Sequence, residues 1–139
     1  MIWSLLSAAA PHATAGGPLP PCPGTPNCVC SEDGTPEARR VPPLPAGPDP
    51  AAAWAALKRA VAAVGGDIKT DDGALLHAVV RTPVLRFPDD LHARLDGAAG
   101  VIHLRAKSRV GKSDLGVNRK RVGRLRKAYL ASLPGTAGG

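Results

Sequence analysis

The chain has 139 residues, a formal net charge of +7 and only 3% aromatic residues. This length fits one domain with a tail, and the scarcity of aromatic residues predicts a core of Leu, Val, Ile and Ala. No apolar run approaches the roughly 18 residues that a membrane-spanning helix needs, which excludes such a helix within this sequence.

The basic charge is concentrated at one end of the sequence. Residues 1–100 contain 8 Lys and Arg and 10 Asp and Glu, whereas residues 101–139 contain 10 Lys and Arg and one acid, Asp114. This asymmetry favours an acidic partner, such as a phosphate, a nucleic acid, an anionic membrane or an acidic protein. The alternative is a solvated helix face that keeps the protein soluble.

The first 48 residues are rich in Pro, Gly and Ala. Proline has no amide proton to donate, so this composition predicts extended or turn-rich backbone. We interpret residues 1–18 as a disordered leader. A partial export signal is the alternative, because a short apolar run precedes small residues and a possible cleavage site at 13–15; it lacks a positively charged start.

Three cysteines, Cys22, Cys28 and Cys30, lie within nine residues. Structural zinc normally takes four Cys or His ligands, and the nearest histidine, His12, lies in the leader, so we predict no metal and no cofactor. A Cys22–Cys28 disulfide closing a Pro-rich loop would suit an oxidising compartment. Free, partly buried thiols are the alternative.

The order of elements after Asp49 predicts helix, strands, helix. Asp49-Pro50 predicts the start of a helix, and Gly65-Gly66 predicts its end. Between them, Trp54, Leu57, Val61 and Val64 fall on one helix face and form an apolar stripe. Strand-like runs follow at 67–70, 75–82, 84–87, 91–95 and 101–107. Pro83 and Pro88 make the third run an edge or bulged segment.

A second helix is predicted at about 115–133, with Ser113 or Asp114 as its N-cap. Its apolar stripe is Val122, Leu125, Tyr129 and Leu133. The expected fold class is α+β, a two-layer sandwich of an antiparallel sheet of four to five strands with both helices on one face. The predicted domain covers 19–134, divided into a cysteine and proline loop at 19–48 and a globular part at 49–134, and 135–139 form a tail.

Four segments in this order resemble the uncharacterised family called domain of unknown function 1499 (DUF1499). They are Cys22-Pro23 with Pro26-Asn27-Cys28-Val29, Leu85 to Asp90, Val101 to Arg105, and Ser108 to Arg121. The chain departs from the family pattern at two places. The family usually has Ser-Ala where this chain has Ala106-Lys107, so any role of that serine is absent here, and it tends to have Val in place of Pro88. The resemblance implies an exported or membrane-associated protein; without a signal, the protein would be cytoplasmic. No agreed activity comes with it.

The segment from Val101 to Arg121 is the predicted functional centre. Arg105, Lys107 and Arg109 share one strand face with His103, and a helix start follows, so free amides and arginines together predict an anion site. Burying such a face without anions would be prohibitive. The predicted ligand-binding residues are Arg86, Asp89, Asp90, His103, Arg105, Ser108, Arg109, Gly111, Ser113, Asp114, Asn118 and Arg119.

We therefore expect a non-enzymatic binding module for a small anionic ligand, a lipid headgroup or an acidic partner. The main alternative is a structural or interaction domain in which Asp89 and Asp90 pair internally with Arg105, Arg109 or Arg119. Nucleic-acid binding ranks lower, because exposed aromatics for stacking are scarce. A hydrolase using His103 with Asp89 or Asp90 ranks last, because no catalytic residue is predicted and no nucleophile motif is present.

Overall fold

The computed structural model describes residues 17–111 and 115–134. The predicted leader up to residue 16, the tail at 135–139, and Ser113 and Asp114 lie outside the described residues. The elements in chain order are β1 Cys28–Cys30, a short 3-10 helix Glu37–Arg39, β2 Leu44–Pro45, α1 Pro50–Ala63, β3 Asp67–Asp71, β4 Leu75–Arg81, β5 Pro88–Asp96, β6 Val101–Ser108 and α2 Val117–Ser132.

One antiparallel sheet organises the fold, in the order β1-β6-β5-β4-β3, and β2 pairs with β6 beside β1. Consecutive strands β3 to β6 are therefore neighbours, as short connections favour. The predicted α+β sandwich is confirmed, with six strands in the described residues. The additional strands β1 and β2 come from the region predicted as a cysteine and proline loop.

Both helices cover the inner face of the sheet and contact each other. Asp49 caps α1, because its carboxylate accepts a hydrogen bond of 3.1 Å from the Ala52 amide, and Pro50 is the first helical residue. The two predicted apolar stripes face the sheet and form the core with its inner residues: Trp54, Leu57, Val61, Val122, Leu125, Tyr129, Leu76, Ala78, Val80, Leu91, Ala93, Ile102, Leu104 and Ala106.

The predicted strand at 84–87 is wrong. Residues 82–87 form a closed loop in which the Thr82 amide donates to the Phe87 carbonyl at 2.9 Å and the Phe87 amide donates to Thr82 Oγ1 at 2.9 Å. Pro83 has no amide for a sheet ladder, and Val84 and Arg86 have positive φ, which is incompatible with a strand. Strand β5 instead begins at Pro88 and includes Asp89 and Asp90.

The start of α2 also differs from the expectation. The N-cap is Gly116, with φ 80°, and Leu115 before it has φ 55°. Two consecutive residues in the left-handed region cannot belong to a right-handed helix. The helix therefore begins at Val117, after the predicted caps Ser113 and Asp114.

Regular structure was expected to begin near Asp49, but it begins well before that residue. Cys28 and Cys30 in β1 are fully buried, and a disulfide joins Cys22 to Cys28. The Leu19 amide donates to Glu32 Oε2 at 2.9 Å, and the Pro21 carbonyl accepts from Arg105 Nη2 at 3.3 Å. Residues 17–27, called the strap below, therefore lie against the outer face of the sheet at β1 and β6.

Candidate functional site

The two adjacent aspartates of β5 point to opposite faces of the sheet, as strand alternation predicts. Asp89 shares the inner face with Leu91, and Asp90 shares the outer face with His92. Each aspartate belongs to a separate ion-pair network. This separation argues against joint acid–base chemistry by the two carboxyl groups.

The inner network is fully buried beneath α2. Asp89 Oδ2 accepts a hydrogen bond from Arg121 Nη1, and each side chain is only 2% exposed. Asn118 donates to Ser108 Oγ at 2.9 Å and accepts from Arg121 at 3.2 Å. Asp89, Ser108 and Asn118, three residues of the predicted ligand set, therefore connect β5, β6 and α2.

The outer network is centred on Asp90. Arg109 donates to both of its carboxylate oxygens at 2.8 Å, and His77 Nε2 lies 2.6 Å from Oδ1. Burial alone would raise the pKa of Asp90, but the hydrogen bonds from Arg109 and His77 outweigh it and hold the pKa well below its usual range. The His77 ring stacks on the His92 ring at a centroid distance of 4.5 Å.

Glu32 is a second buried carboxylate on the outer face of the sheet, and it pairs with Arg94. Arg94 donates to its two oxygens at 2.7 and 2.8 Å. Burial opposes ionisation, but the bonds from Arg94 and the Leu19 amide prevail and lower the pKa of Glu32. His103 contacts Ser31 Oγ at 3.0 Å and lies 3.7 Å from Glu32, rather than meeting Asp89 or Asp90 as the hydrolase hypothesis requires.

These carboxylates predict acid sensitivity. A carboxyl group whose pKa is lower in the folded than in the unfolded chain stabilises the fold above its unfolded pKa, and this contribution is lost as the pH falls. We expect the melting temperature to drop as the pH falls below 4.5 and then 3.8, the ordinary values for Glu32 and Asp90. Asp90→Asn should flatten the lower part of the curve. An acid-independent melting temperature would contradict the assignment.

Arg105 departs most from its expected exposure. Its side chain was expected on an open basic face, yet the residue is 2% exposed beneath the strap. No carboxylate of residues 17–111 or 115–134 lies within 4 Å of it, and its Nε has no hydrogen-bond partner there. Burial lowers the pKa of Arg105, and the charge of Asp90 opposes that effect. The strap therefore buries the Arg105 guanidinium, which the sequence analysis predicted to be exposed to solvent.

The remaining predicted ligand residues do not gather around one anion site. Arg119 donates to the carbonyls of Arg40 and Ala38 at 3.0 and 2.9 Å. The Gly111 carbonyl accepts from Asn27 at 2.8 Å, and Arg86 is exposed on the loop 82–87. The anion site thus stays a prediction, and Arg105, Arg109 and Arg119 each have a separate structural contact in the described residues.

A pocket of about 350 Å³ opens between the loop 82–87 and the segments on either side of residues 112–114. Its walls are mainly apolar, and polar groups come from Thr82, Asp89 and Ser108. The volume lies near the lower end of the roughly 300–1,000 Å³ typical of small-molecule sites. The lining residues are Thr82, Pro83, Leu85, Phe87, Asp89, Ser108, Val110, Leu115 and Val117.

Exposed apolar side chains concentrate around this pocket. Among the described residues six large apolar side chains are exposed. Four of them line the pocket, and Val84 lies between two lining residues of the loop 82–87. We call these five the apolar rim: Val84, Leu85, Phe87, Val110 and Leu115. Leu115 is 88% exposed, and Val84 92%. Large contiguous apolar patches on protein surfaces are candidate interaction sites.

Backbone strain marks the same place. In the described part of the chain, the non-glycine residues with positive φ are Val84, Arg86 and Leu115, and all three lie in the segments that border the pocket. Val84 is β-branched, for which this conformation is least favourable. Strain that the surrounding structure maintains is concentrated at binding and active sites.

Sequence reasoning missed the apolar rim and Arg121. The rim residues are hydrophobic residues next to Pro83, Pro88, Gly111 and Gly116, where apolar side chains follow no helix or strand period. Arg121 had a clearer signal: it lies four residues before Leu125 and eight before Tyr129, on the apolar stripe of α2. A buried arginine at that position needs a carboxylate on the sheet.

In the described residues no group of three or more His, Cys, Asp or Glu is placed to hold a metal ion, and no helix there is long and apolar enough to cross a membrane.

Comparisons with known proteins support a family assignment without an activity. No curated protein and no solved structure matches the chain. A model of the family described as protein of unknown function (DUF1499) matches residues 18–129. The chain belongs to this family.

Proposed function

We propose that this domain is a non-enzymatic binding module that docks on an anionic lipid surface through the apolar rim. The observation that carries the proposal is the gathering of five exposed apolar side chains, four of which line one pocket. The loop 82–87 is closed by its own hydrogen bonds, so it presents Val84 and Leu85 to solvent without needing to reorganise. Apolar side chains of this kind insert into the boundary between headgroups and acyl chains.

Charge next to the rim favours an anionic surface. Arg81 and Arg86 are exposed at the ends of the same loop, and the Arg109 side chain remains 45% exposed although it pairs with Asp90. Each basic side chain near an anionic membrane contributes about 1 kcal/mol. This proposal keeps the lipid headgroup of the sequence prediction and moves the point of contact from the buried Arg105 to the rim.

Co-sedimentation with vesicles tests the proposal. Vesicles of phosphatidylcholine containing phosphatidylglycerol should bind the protein, and the double variant Leu85→Ser with Leu115→Ser should bind about tenfold or more weakly, because burial of a leucine contributes roughly 1.5–3 kcal/mol. The matched control is Leu130→Ser on α2, an exposed leucine away from the rim, which should bind like the unmodified protein. Equal binding of the double variant and the control would overturn the proposal.

Two further arms separate a lipid surface from other acidic partners. Arg86→Gln should weaken vesicle binding about fivefold, the equivalent of 1 kcal/mol, and added salt should reduce the difference. Vesicles of phosphatidylcholine alone should bind much less. If the protein ignores all vesicles but binds an acidic polypeptide, the rim docks a protein and the lipid proposal fails.

A further inference from the structure

The pocket inside the apolar rim has a polar floor with unused hydrogen-bonding capacity. Asp89 and Ser108 are directly opposite each other on β5 and β6 and share the inner face of the sheet. Directly opposite residues of an antiparallel pair have Cβ atoms about 4.5–5.5 Å apart. Both residues are among those that line the pocket.

Each of these side chains has one hydrogen-bonding position to spare. Asp89 Oδ2 accepts from Arg121, whereas Oδ1 is buried and has no hydrogen-bond partner among residues 17–111 and 115–134. Ser108 Oγ accepts from Asn118 at 2.9 Å, and its own proton has no acceptor within the same ranges. The floor thus offers one acceptor, on Asp89, and one donor, on Ser108.

We infer that the pocket binds a hydroxyl-ended amphiphile, with its hydroxyl between Asp89 and Ser108 and its hydrocarbon chain among the rim residues. A hydroxyl group both donates and accepts, which matches the floor. An ionised carboxylate or phosphate offers acceptors only, so it would leave Oδ1 of Asp89 without a donor and place negative charge beside it. This inference rests on the proposed function, because it names the ligand chemistry of the same pocket.

The unmodified protein provides the first test, without vesicles. Calorimetric titration at neutral pH should show 1-decanol binding about tenfold or more tightly than decanoate, since a buried acceptor left without a donor is costly. The apolar chains of these two probes are nearly the same, so the difference reports the end group. Equal affinities, or tighter binding of decanoate, would overturn the inference.

Two variants then locate the end group. In Asp89→Asn the amide oxygen is needed to accept from Arg121, so the amide N–H faces the pocket and the preference should shift towards decanoate. Ser108→Ala leaves the Asp89–Arg121 pair intact and should weaken 1-decanol binding severalfold while changing decanoate binding less. If Asp89→Asn does not fold, the measurements on Ser108→Ala and on the unmodified protein still test the position of the hydroxyl group. Unchanged 1-decanol binding in Ser108→Ala would overturn the proposed position.

The vesicle and amphiphile experiments fail independently. Vesicle binding with no preference for 1-decanol over decanoate would leave the membrane-docking proposal intact and overturn the hydroxyl site. Binding of 1-decanol with no binding to vesicles would overturn membrane docking and support a pocket for a soluble amphiphile. Leu130→Ser again serves as the variant that should bind both probes normally.

Discussion

Replacement of Arg121 by Met is expected to lower the free energy of unfolding by about 3–5 kcal/mol. The Arg121 guanidinium and the Asp89 carboxylate are each 98% removed from solvent, and Arg121 also donates to Asn118 at 3.2 Å. Met fills much of the volume but leaves the Asp89 carboxylate buried without its counter-charge. Urea unfolding of the variant and the unmodified protein, with the slopes compared, measures the loss.

Arg105→Met is the matched control for this substitution. Arg105 is as buried as Arg121, but no carboxylate lies within 4 Å of it in the described ranges, and Asp90 retains Arg109 and His77. Removal of this guanidinium leaves no acid unpaired, so we expect a change within about 1 kcal/mol or a gain in stability. Equal losses in the two variants would contradict the assignment of Arg121 and Asp89 as a specific pair.

The same contacts change how the predicted anion site should be tested. Charge reversal at Arg109 would place a carboxylate beside Asp90, where Arg109 now donates two hydrogen bonds of 2.8 Å. Such a variant would lose stability whether or not the protein binds an anion. Charge removal at Arg86 is more informative, because Arg86 is exposed on the loop 82–87.

Local signals predicted the elements whose formation depends on neighbours in sequence. The cap at Asp49, the first-turn Pro50 and the stripe through Trp54 and Leu57 predicted α1 almost to the residue. Alternation along β5 accounts for the opposite faces of Asp89 and Asp90. These features depend on backbone geometry and helix period, which a sequence displays directly.

The features that sequence reasoning missed depend on contacts between distant segments. Strands β1 and β2 have three and two residues, too few to show a period, and both form by pairing with β6. The burial of Arg105 depends on Pro21, which is 84 residues away in the chain. The pocket depends on two loops, one strained at Val84 and the other at Leu115, that meet only in the folded protein.

Loss of the Cys22–Cys28 disulfide is expected to lower the free energy of unfolding by about 2 kcal/mol, since the two cysteines are separated by six positions and close a small loop. The double variant Cys22→Ser with Cys28→Ser should show this loss in urea unfolding. The strap should also release Leu19, which is 3% exposed, and admit water to Arg105. Faster amide exchange at Leu19 would report that release.

A thiol count separates the cross-link from the packing of the cysteines. Of the three cysteines in the chain, Cys30 is a buried free thiol. The unreduced protein should therefore show one thiol after denaturation, and the reduced protein three. Cys30→Ala removes a buried side chain but no cross-link, so its stability should still fall on reduction, whereas that of the double variant should not. Three thiols without reductant would contradict the disulfide. In that case the strap would be bound to the outer face only by non-covalent contacts, such as the hydrogen bond from the Leu19 amide to Glu32.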